Sequence, residues 1–405
     1  MINLEIPKKF VPLVAQANQV AEEVFRPISR KYDQEEHAYP KELDMLAALI
    51  DGMNDGSATG GAGAAGVRRT KGDGDDGVRN GSNMSTVLGI VELCWGDVGL
   101  LLSMPRQGLG NSAIASVAND EQLERFKGKW AAMAITEPEA GSDSASIRTT
   151  AVLDETTGEY VLNGEKIYVT SGERADLVVV WATLDRSVGR AAIKSFVVER
   201  SNPGLKLDRL EHKLGIRASD TAAFILEDCR VPKENLLGSP EVDTEKGFAG
   251  VMQTFDNTRP LVAAMAVGLT RACLEETRRL LSDAGVEVDW DKPAQLQPAA
   301  AAEYLAMEAD YEAARLLTLE AAWMADNSKP NSLQASMAKA KAGRTCVDVA
   351  LRCVRLCGSL GFGEELLLEK WARDAKILDL FEGTQQIQLL IIARQLLGKS
   401  SAELK

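Results

Sequence analysis

Tyr160-Val161-Leu162-Asn163-Gly164-Glu165-Lys166-Ile167-Tyr168-Val169 lies in the segment, 130 to about 231, where this 405-residue chain changes from a helical to a strand-like pattern. Apolar and polar residues alternate around Asn163-Gly164, a dipeptide suited to a two-residue turn, which predicts a β-hairpin. Further short strands are expected over 177–181, 195–199 and 223–226, with Asn202-Pro203-Gly204 as a turn. Closely spaced strands with no helices between them indicate an antiparallel barrel or sandwich and argue against a Rossmann sheet.

On both sides of this block the period is helical. Upstream, 11–29 is amphipathic, Pro40-Lys41-Glu42 opens a helix running to 50, and 86–94 opens another. Between them, 55–83 is dense in glycine and short polar residues, too poor in apolar side chains to build a core. It contains Gly61-Ala62-Gly63-Ala64-Ala65-Gly66, a formal GxGxxG. No strand precedes it and Asp73-Gly74-Asp75-Asp76-Gly77 follows where a helix should start, so it is read as a loop and not a dinucleotide site. Downstream, long helices are expected over 303–324, 332–356, 364–381 and 385–397, consistent with an antiparallel four-helix bundle. The chain is therefore expected to be mainly α with a central β domain. Its parts are an N-terminal helical domain (1–129), an antiparallel β-barrel or sandwich (130–240) and a C-terminal four-helix bundle (241–405).

Composition narrows the function classes. Hydrophobic residues make up 45% and charged residues 26% of the chain, and the net charge is -13. Arg68-Arg69-Thr70-Lys71 is followed at once by Asp73, Asp75 and Asp76, so no basic patch suits a nucleic-acid polyanion. No apolar run reaches the roughly 18 residues a membrane span needs, and Met1–Phe10 lacks a signal-peptide core, which points to the cytoplasm. Cys346, Cys353 and Cys357 fall on one helix face among Val349, Leu356 and similar residues, and read as small core side chains. The only histidines, His37 and His212, have no metal-site spacing to a Cys or carboxylate set, so no metal ligand is assigned.

Phe381-Glu382-Gly383-Thr384-Gln385-Gln386 puts one carboxylate at a break between two apolar helices. Gly383 can take a backbone conformation closed to other residues, and Thr384 is a good N-cap for the last helix. A carboxylate partly desolvated there suits general-base work, because burial raises its pKa. A capping acid on a surface corner is the other reading, and the hexapeptide alone leaves both open.

A second segment, Ala134-Ile135-Thr136-Glu137-Pro138-Glu139-Ala140-Gly141-Ser142-Asp143, joins a short apolar strand to a Gly-Ser turn. Together with Phe381–Gln386 it closely resembles the two signature motifs of the acyl-CoA dehydrogenase family of flavoproteins. The resemblance runs from about 24 to 398. It recurs at Ile167-Tyr168-Val169-Thr170-Ser171-Gly172, Val231-Pro232-Lys233-Glu234-Asn235, Phe255-Asp256-Asn257-Thr258-Arg259-Pro260 and Arg373-Asp374-Ala375-Lys376-Ile377, in family order.

The resemblance implies the family's order of helices, small β domain and helical bundle, with FAD as cofactor. The implied reaction removes an α-proton and a β-hydride from an acyl-CoA thioester, giving the trans-2-enoyl-CoA. Glu382 matches the catalytic base, and its backbone N–H matches a donor to the thioester carbonyl. Another branch of the family keeps its base at the position of Thr258, which cannot serve. Met133, Ile135, Thr136, Ser142, Tyr168, Val169 and Thr170 match flavin contacts, Tyr168 standing where relatives usually carry Trp. Thr384, Gln385 and Gln386 match contacts to the adenosine half, where N–H groups of a helix start suit the purpose. Ser142, Asp256, Arg259 and Gly383 match acyl-CoA contacts, although Arg259 also reads as a helix-end charge.

The match breaks before the helix at 303. Relatives carry Arg-x-x-Phe-Gly and a later Gln that reach across a dimer to the neighbour's FAD. Here Val286-Glu287-Val288-Asp289-Trp290-Asp291 takes that place, with Glu287 under the Arg, Trp290 under the Phe and Gln297 or Pro298 near the Gln. Three acids would repel a pyrophosphate. The family's Gln-x-x-Gly-Gly cofactor loop reads Arg355-Leu356-Cys357-Gly358-Ser359, so Arg355 and Gly358 are the cofactor candidates there. An FAD-dependent acyl-CoA dehydrogenase of fatty acid metabolism that passes electrons to an electron-transfer flavoprotein is expected, as a homotetramer or as α₂β₂ with a homologous subunit. An acyl-CoA oxidase using O₂, or a subunit that only completes a partner's flavin site, is the alternative.

Overall fold

The computed structural model describes residues 5–54, 81–105, 109–242, 249–400 and 403, with the backbone alone for 49–54 and 249–257. The glycine-rich loop expected over 55–83, with its GxGxxG, lies outside the described residues but for 81–83.

Among the described residues seven α-helices precede the sheet: α1 (Val11–Val20), α2 (Arg26–Gln34), α3 (Glu42–Asn54), α4 (Ser82–Gly96), α5 (Val98–Leu102), α6 (Leu109–Val117) and α7 (Asp120–Arg125). A π-helical turn, Ala21–Phe25, carries α1 into α2, so the two form the single amphipathic stretch expected over 11–29. Asp97 caps α5 by accepting from Leu100 N, and Asn119 and Gln122 form a capping box at α7, which fixes where each helix starts.

The strands are β1 (Ala131–Ala134), β2 (Thr150–Asp154), β3 (Glu159–Thr170), β4 (Leu177–Thr183), β5 (Ile193–Glu199), β6 (Leu205–Leu210) and β7 (Thr221–Pro232). They form one curled seven-stranded sheet in the order β1-β4-β2-β3-β7-β6, with β5 on β4. Pairing is antiparallel except where β1 and a single residue of β2 meet β4 in parallel. β4 is buried along its whole length, as its run Leu177–Ala182 of apolar residues requires. The expected Asn163-Gly164 hairpin is not formed. β3 runs straight through the dipeptide, and its pairing with β7 slips between Leu162 and Gly164. Asn-Gly serves here as a β-bulge: Gly164 has φ +156, and a Cβ on it would lie 2.4 Å from Thr149 Oγ1. The actual hairpin joins β2 to β3 around Gly158, at φ +72.

The bundle is α8 (Ala249–Asp283), α9 (Ala299–Asp326), α10 (Ser332–Phe362), α11 (Leu368–Leu378) and α12 (Gln385–Leu397). Cys346 and Cys353 are buried in its core with Leu269, Cys273 and Trp371, and all six cysteines are free. The same core takes in Phe25, Tyr32 and Leu100 from the first helices and Ile216 from the β6–β7 loop. The sheet keeps a separate core around Leu162, Val178, Val180, Phe196 and Phe224. No described helix is long and apolar enough to cross a membrane.

Candidate active site

Glu382 sits on the corner between α11 and α12, and two consecutive residues there hold left-handed backbone, Glu382 at φ 56 and Gly383 at φ 93. A non-glycine residue in that region costs roughly 1–3 kcal/mol unless its surroundings hold it. Three contacts hold it. Lys339 Nζ donates to the Gly383 carbonyl (2.7 Å), and Gln388 Nε2 donates to the carbonyls of Glu382 (3.0 Å) and Gly383 (3.3 Å). Thr384 caps α12, as its sequence position predicts, by accepting from Ile387 N (3.4 Å).

The carboxyl of Glu382 faces α8. Its Oε2 accepts from Thr258 Oγ1 at 2.8 Å, so the two alternative base positions of the resemblance are in contact. Burial pushes the Glu382 carboxyl above the ordinary carboxylate range, against the Thr258 hydrogen bond and the charges of Arg259 and Lys339, which pull it down. Glu382 is half-buried, and its carboxyl is turned onto α8 and hydrogen-bonded to Thr258. Arg259 is buried well inside α8, so it is no helix-end charge. The Asp256 side chain lies outside the described residues.

The strand candidates gather on the sheet. Met133 lies on β1, with Ile135 and Thr136 just beyond its end, and Tyr168, Val169 and Thr170 end β3. The Thr136 carbonyl accepts from Ile167 N (2.9 Å), which locks the two segments together. A second slip in the β3–β7 register, between Lys166 and Val169, puts Tyr168 at φ 57 and turns its ring out, 62% exposed. Beneath this surface Glu137 and Lys166 form a buried ion pair (2.7 Å). Glu137 also accepts from Arg148 N (2.6 Å), Thr149 N (3.0 Å) and Thr149 Oγ1 (2.6 Å). Burial raises this carboxyl, but Lys166 and these donors outweigh it and hold Glu137 below the usual range. Lys166, lowered by burial to about 8, also donates to the Ile135 carbonyl at 3.1 Å. Ser142 is exposed on the turn that Glu137 anchors.

Other candidates are already engaged within the chain. Arg355 and Arg352 both pair with Glu303, Arg352 Nε at 2.9 Å, while Gly358 (φ 56) kinks α10. Gln385, oriented so that its amide satisfies its neighbours, donates to Asp379 Oδ1 and the Ala340 carbonyl, both at 3.1 Å. Gln386 is exposed on the first turn of α12. Trp290 donates to Glu308 (2.6 Å), and Arg278 lies 4.4 Å over its ring.

Sequence reasoning missed Lys339, Gln388 and the Glu137–Lys166 pair. A signal existed for Lys339, which falls on the α10 stripe of Ala335, Ala342 and Cys346, where a charge is unexpected. It also missed that His37 and His212 meet. His212 Nδ1 is 2.8 Å from Glu36 Oε2 and the rings are 4.9 Å apart, so three possible metal-ligating groups come together from segments far apart in sequence. That spacing is one of packed rings, and Glu36 also accepts from Lys213 N (2.9 Å), so the cluster ties the end of α2 to the β6–β7 loop.

Residues 132–229 match the acyl-CoA dehydrogenase middle domain and residues 245–397 the acyl-CoA dehydrogenase C-terminal domain. The chain belongs to the acyl-CoA dehydrogenase family. It is 32% identical over 397 residues to the acryloyl-CoA reductase (NADH) of Anaerotignum propionicum, covering 95% of this chain and 93% of that one. It is 33% identical over 321 residues to the short-chain specific acyl-CoA dehydrogenase of Clostridium acetobutylicum, covering 77% and 82%. Its fold superposes on butyryl-CoA dehydrogenase of Megasphaera elsdenii with a TM-score of 0.81 at 29% identity, covering 98% and 100%. The protein is thus an FAD-dependent enzyme of the acyl-CoA dehydrogenase family.

The residues fit that cofactor. The half-buried hydroxyls of Thr136 and Thr170 have no hydrogen-bond partner among the described residues, and Tyr168 presents a flat aromatic face beside them.

Proposed function

We propose that the protein oxidises an acyl-CoA thioester to its trans-2-enoyl-CoA, with Glu382 as the base that removes the α-proton. The observation that carries this reading is a half-buried carboxyl braced at an otherwise unfavourable corner and hydrogen-bonded to Thr258, and its burial moves its pKa upward. Near neutral pH such a group is a better proton acceptor than a solvated carboxylate, while its Thr258 bond aims it. The Glu382 N–H makes no backbone hydrogen bond within the described chain, and it is the donor we assign to the thioester oxygen, where negative charge develops as the proton leaves. Gly383, Ser142, Asp256 and Arg259 are assigned to the acyl-CoA. Thr136 and Thr170 would hold the polar edge of the flavin ring and Tyr168 one face, with Met133, Ile135, Ser142 and Val169 lining it. Thr384, Gln385, Gln386, Arg355 and Gly358 are assigned to the cofactor's far half, Gln385 through its backbone because its amide is already used. Bound FAD supplies the acceptor for the β-hydride.

The three parts, 1–129, 130–240 and 241–405, are taken as the family's domains, and an electron-transfer flavoprotein as the electron acceptor in fatty acid oxidation. We place the enzyme in the cytoplasm, where six unpaired cysteines persist. For assembly we favour α₂β₂ with a homologous subunit over a homotetramer. Glu287, Asp289 and Asp291 are all exposed, and the two residues that could offset them, Arg355 and Trp290, are held by Glu303 and Glu308 of the same chain.

Purified protein with its flavin, mixed anaerobically with acyl-CoA, tests the reading. Bleaching of the flavin band supports it, and an unreactive flavin across acyl lengths makes the chain a site-completing subunit. Rapid reoxidation in air would make it an oxidase.

A further inference from the structure

Three lysines are fully buried among the described residues: Lys166, Lys339 and Lys370. Lys166 lies 2.7 Å from the Glu137 carboxylate, and Lys370 lies 2.5 and 2.6 Å from Asp97 and Asp374. Lys339 differs. Its ammonium, 0% exposed, reaches no carboxylate within salt-bridge distance, and its direct partner is the Gly383 carbonyl at 2.7 Å. A buried cation on a single carbonyl is poorly compensated, so the fold gains little from it. What it does touch is the corner that carries Glu382.

We propose that Lys339 is a positioning residue for Glu382, holding the Glu382–Gly383 corner in its left-handed conformation through the Gly383 carbonyl and setting one positive charge beside the base. This rests on the reading of Glu382 as the base. The corner has two consecutive positive φ angles, 56° and 93°, and among the described residues its carbonyls are held only by Lys339 from α10 and Gln388 from α12. Gln388 is itself buried and fixed by its helix, so the two donors pinch the corner between neighbouring helices. The same two donors leave the Glu382 side chain aimed at Thr258. The charged groups around Lys339 are Asp379 at the end of α11, Glu382 on the corner and Arg259 on α8. Burial lowers Lys339 to about 8, with Asp379 and Glu382 opposing and Arg259 adding to the fall, so it carries its charge through the neutral range. That charge favours the ionised form of Glu382, the form that accepts the proton.

Two functions of the lysine are separable. Lys339→Met removes donor and charge, while Lys339→Gln removes the charge but keeps a neutral donor. Flavin reduction by acyl-CoA is followed by stopped flow on the FAD-loaded protein, between pH 5 and 9, for wild type, both variants and Glu382→Gln. In Lys339→Met the reduction rate at neutral pH should fall at least about tenfold, as a displaced base would give, with half-saturation within about threefold. The acid limb of its profile should move to higher pH, because the carboxylate has lost a neighbouring cation. Lys339→Gln should recover part of the rate and keep the shifted limb. Lys339→Met with flavin retained and its acid limb unmoved would overturn the proposal, since a purely structural lysine leaves that limb in place. Should Lys339→Met not fold, the limb of Lys339→Gln decides in the same way. Full activity in Glu382→Gln would instead remove the base assignment itself, so the two failures are distinct.

Discussion

Lys370→Met should destabilise the protein severely, and the loss should depend on pH. Lys370 is enclosed between Asp97, which caps α5, and Asp374 of α11, at 2.5 and 2.6 Å. Asp97 also accepts from Leu100 N (2.8 Å) and from the Ser29 hydroxyl, and Asp374 accepts from Ile216 N (2.5 Å) on the β6–β7 loop. One buried ammonium therefore joins the first helices and the bundle, and through Asp374 the sheet's last loop. Methionine fills the space but leaves two buried carboxylates facing each other, and breaking such a pair from one side costs about 3–5 kcal/mol. Burial already raises the Asp374 carboxyl, and Lys370 is what restrains it. Without the lysine the Asp374 carboxyl rises further in the folded state, while in the unfolded state it is solvated. A group whose folded pKa is raised binds its proton more tightly when folded, so stability falls as pH climbs through the folded value. The deficit against wild type should thus be largest near pH 8 and shrink towards pH 5. Urea denaturation at both pH values measures it, and Lys370→Met/Asp374→Asn should regain part of the loss. A deficit under about 1 kcal/mol, or one independent of pH, would refute the network argument.

Thr170→Val exchanges a hydroxyl for a methyl at nearly constant volume, so flavin absorbance and affinity should change while thermal stability holds. If spectrum, affinity and rate all stay at wild-type values, Thr170 is only a strand residue. Gly383→Ala forces a Cβ to 2.4 Å from Gln388 Nε2 at φ +93, and flavin reduction should drop by about 10²-fold even where the protein folds. A rate near wild type would show that the corner tolerates displacement. The chain expressed alone should retain flavin weakly, and a co-expressed homologous subunit should restore it. A stable homotetramer with one FAD per subunit and full turnover, seen by mass and flavin stoichiometry, would exclude the mixed assembly.

Long periodic elements could be read from the chain because burial dictates their pattern. α12 starts and ends where Thr384 and the Gln385–Leu397 run place it, and β4 follows from an unbroken apolar run. Asn163-Gly164 misled because the dipeptide serves turns and bulges alike, and the choice was made by the close approach of Thr149, a tertiary contact. Glu382 was visible as a break in an apolar pattern followed by a cap. Its braces were not: Lys339 and Gln388 lie on α10 and α12, and only packing of α8, α10 and α12 brings them to one corner with Thr258, which the resemblance had already singled out. Arg373-Asp374 belongs to the family motifs, yet its side chains serve the fold, Arg373 pairing with Asp33 at 2.6 Å and Asp374 with Lys370.

Glu382→Gln tests the central claim most directly. The amide fits the same space and leaves the Lys339 and Gln388 braces intact, but it cannot accept a proton. Stopped-flow flavin reduction by acyl-CoA should then fall by about 10²–10⁴-fold, with the flavin still bound. In the wild type the rate should fall as pH drops through the raised Glu382 pKa, and that acid limb should vanish in the variant. A variant that bleaches within about tenfold of wild type, or keeps the same acid limb, would contradict the assignment of Glu382 as the base.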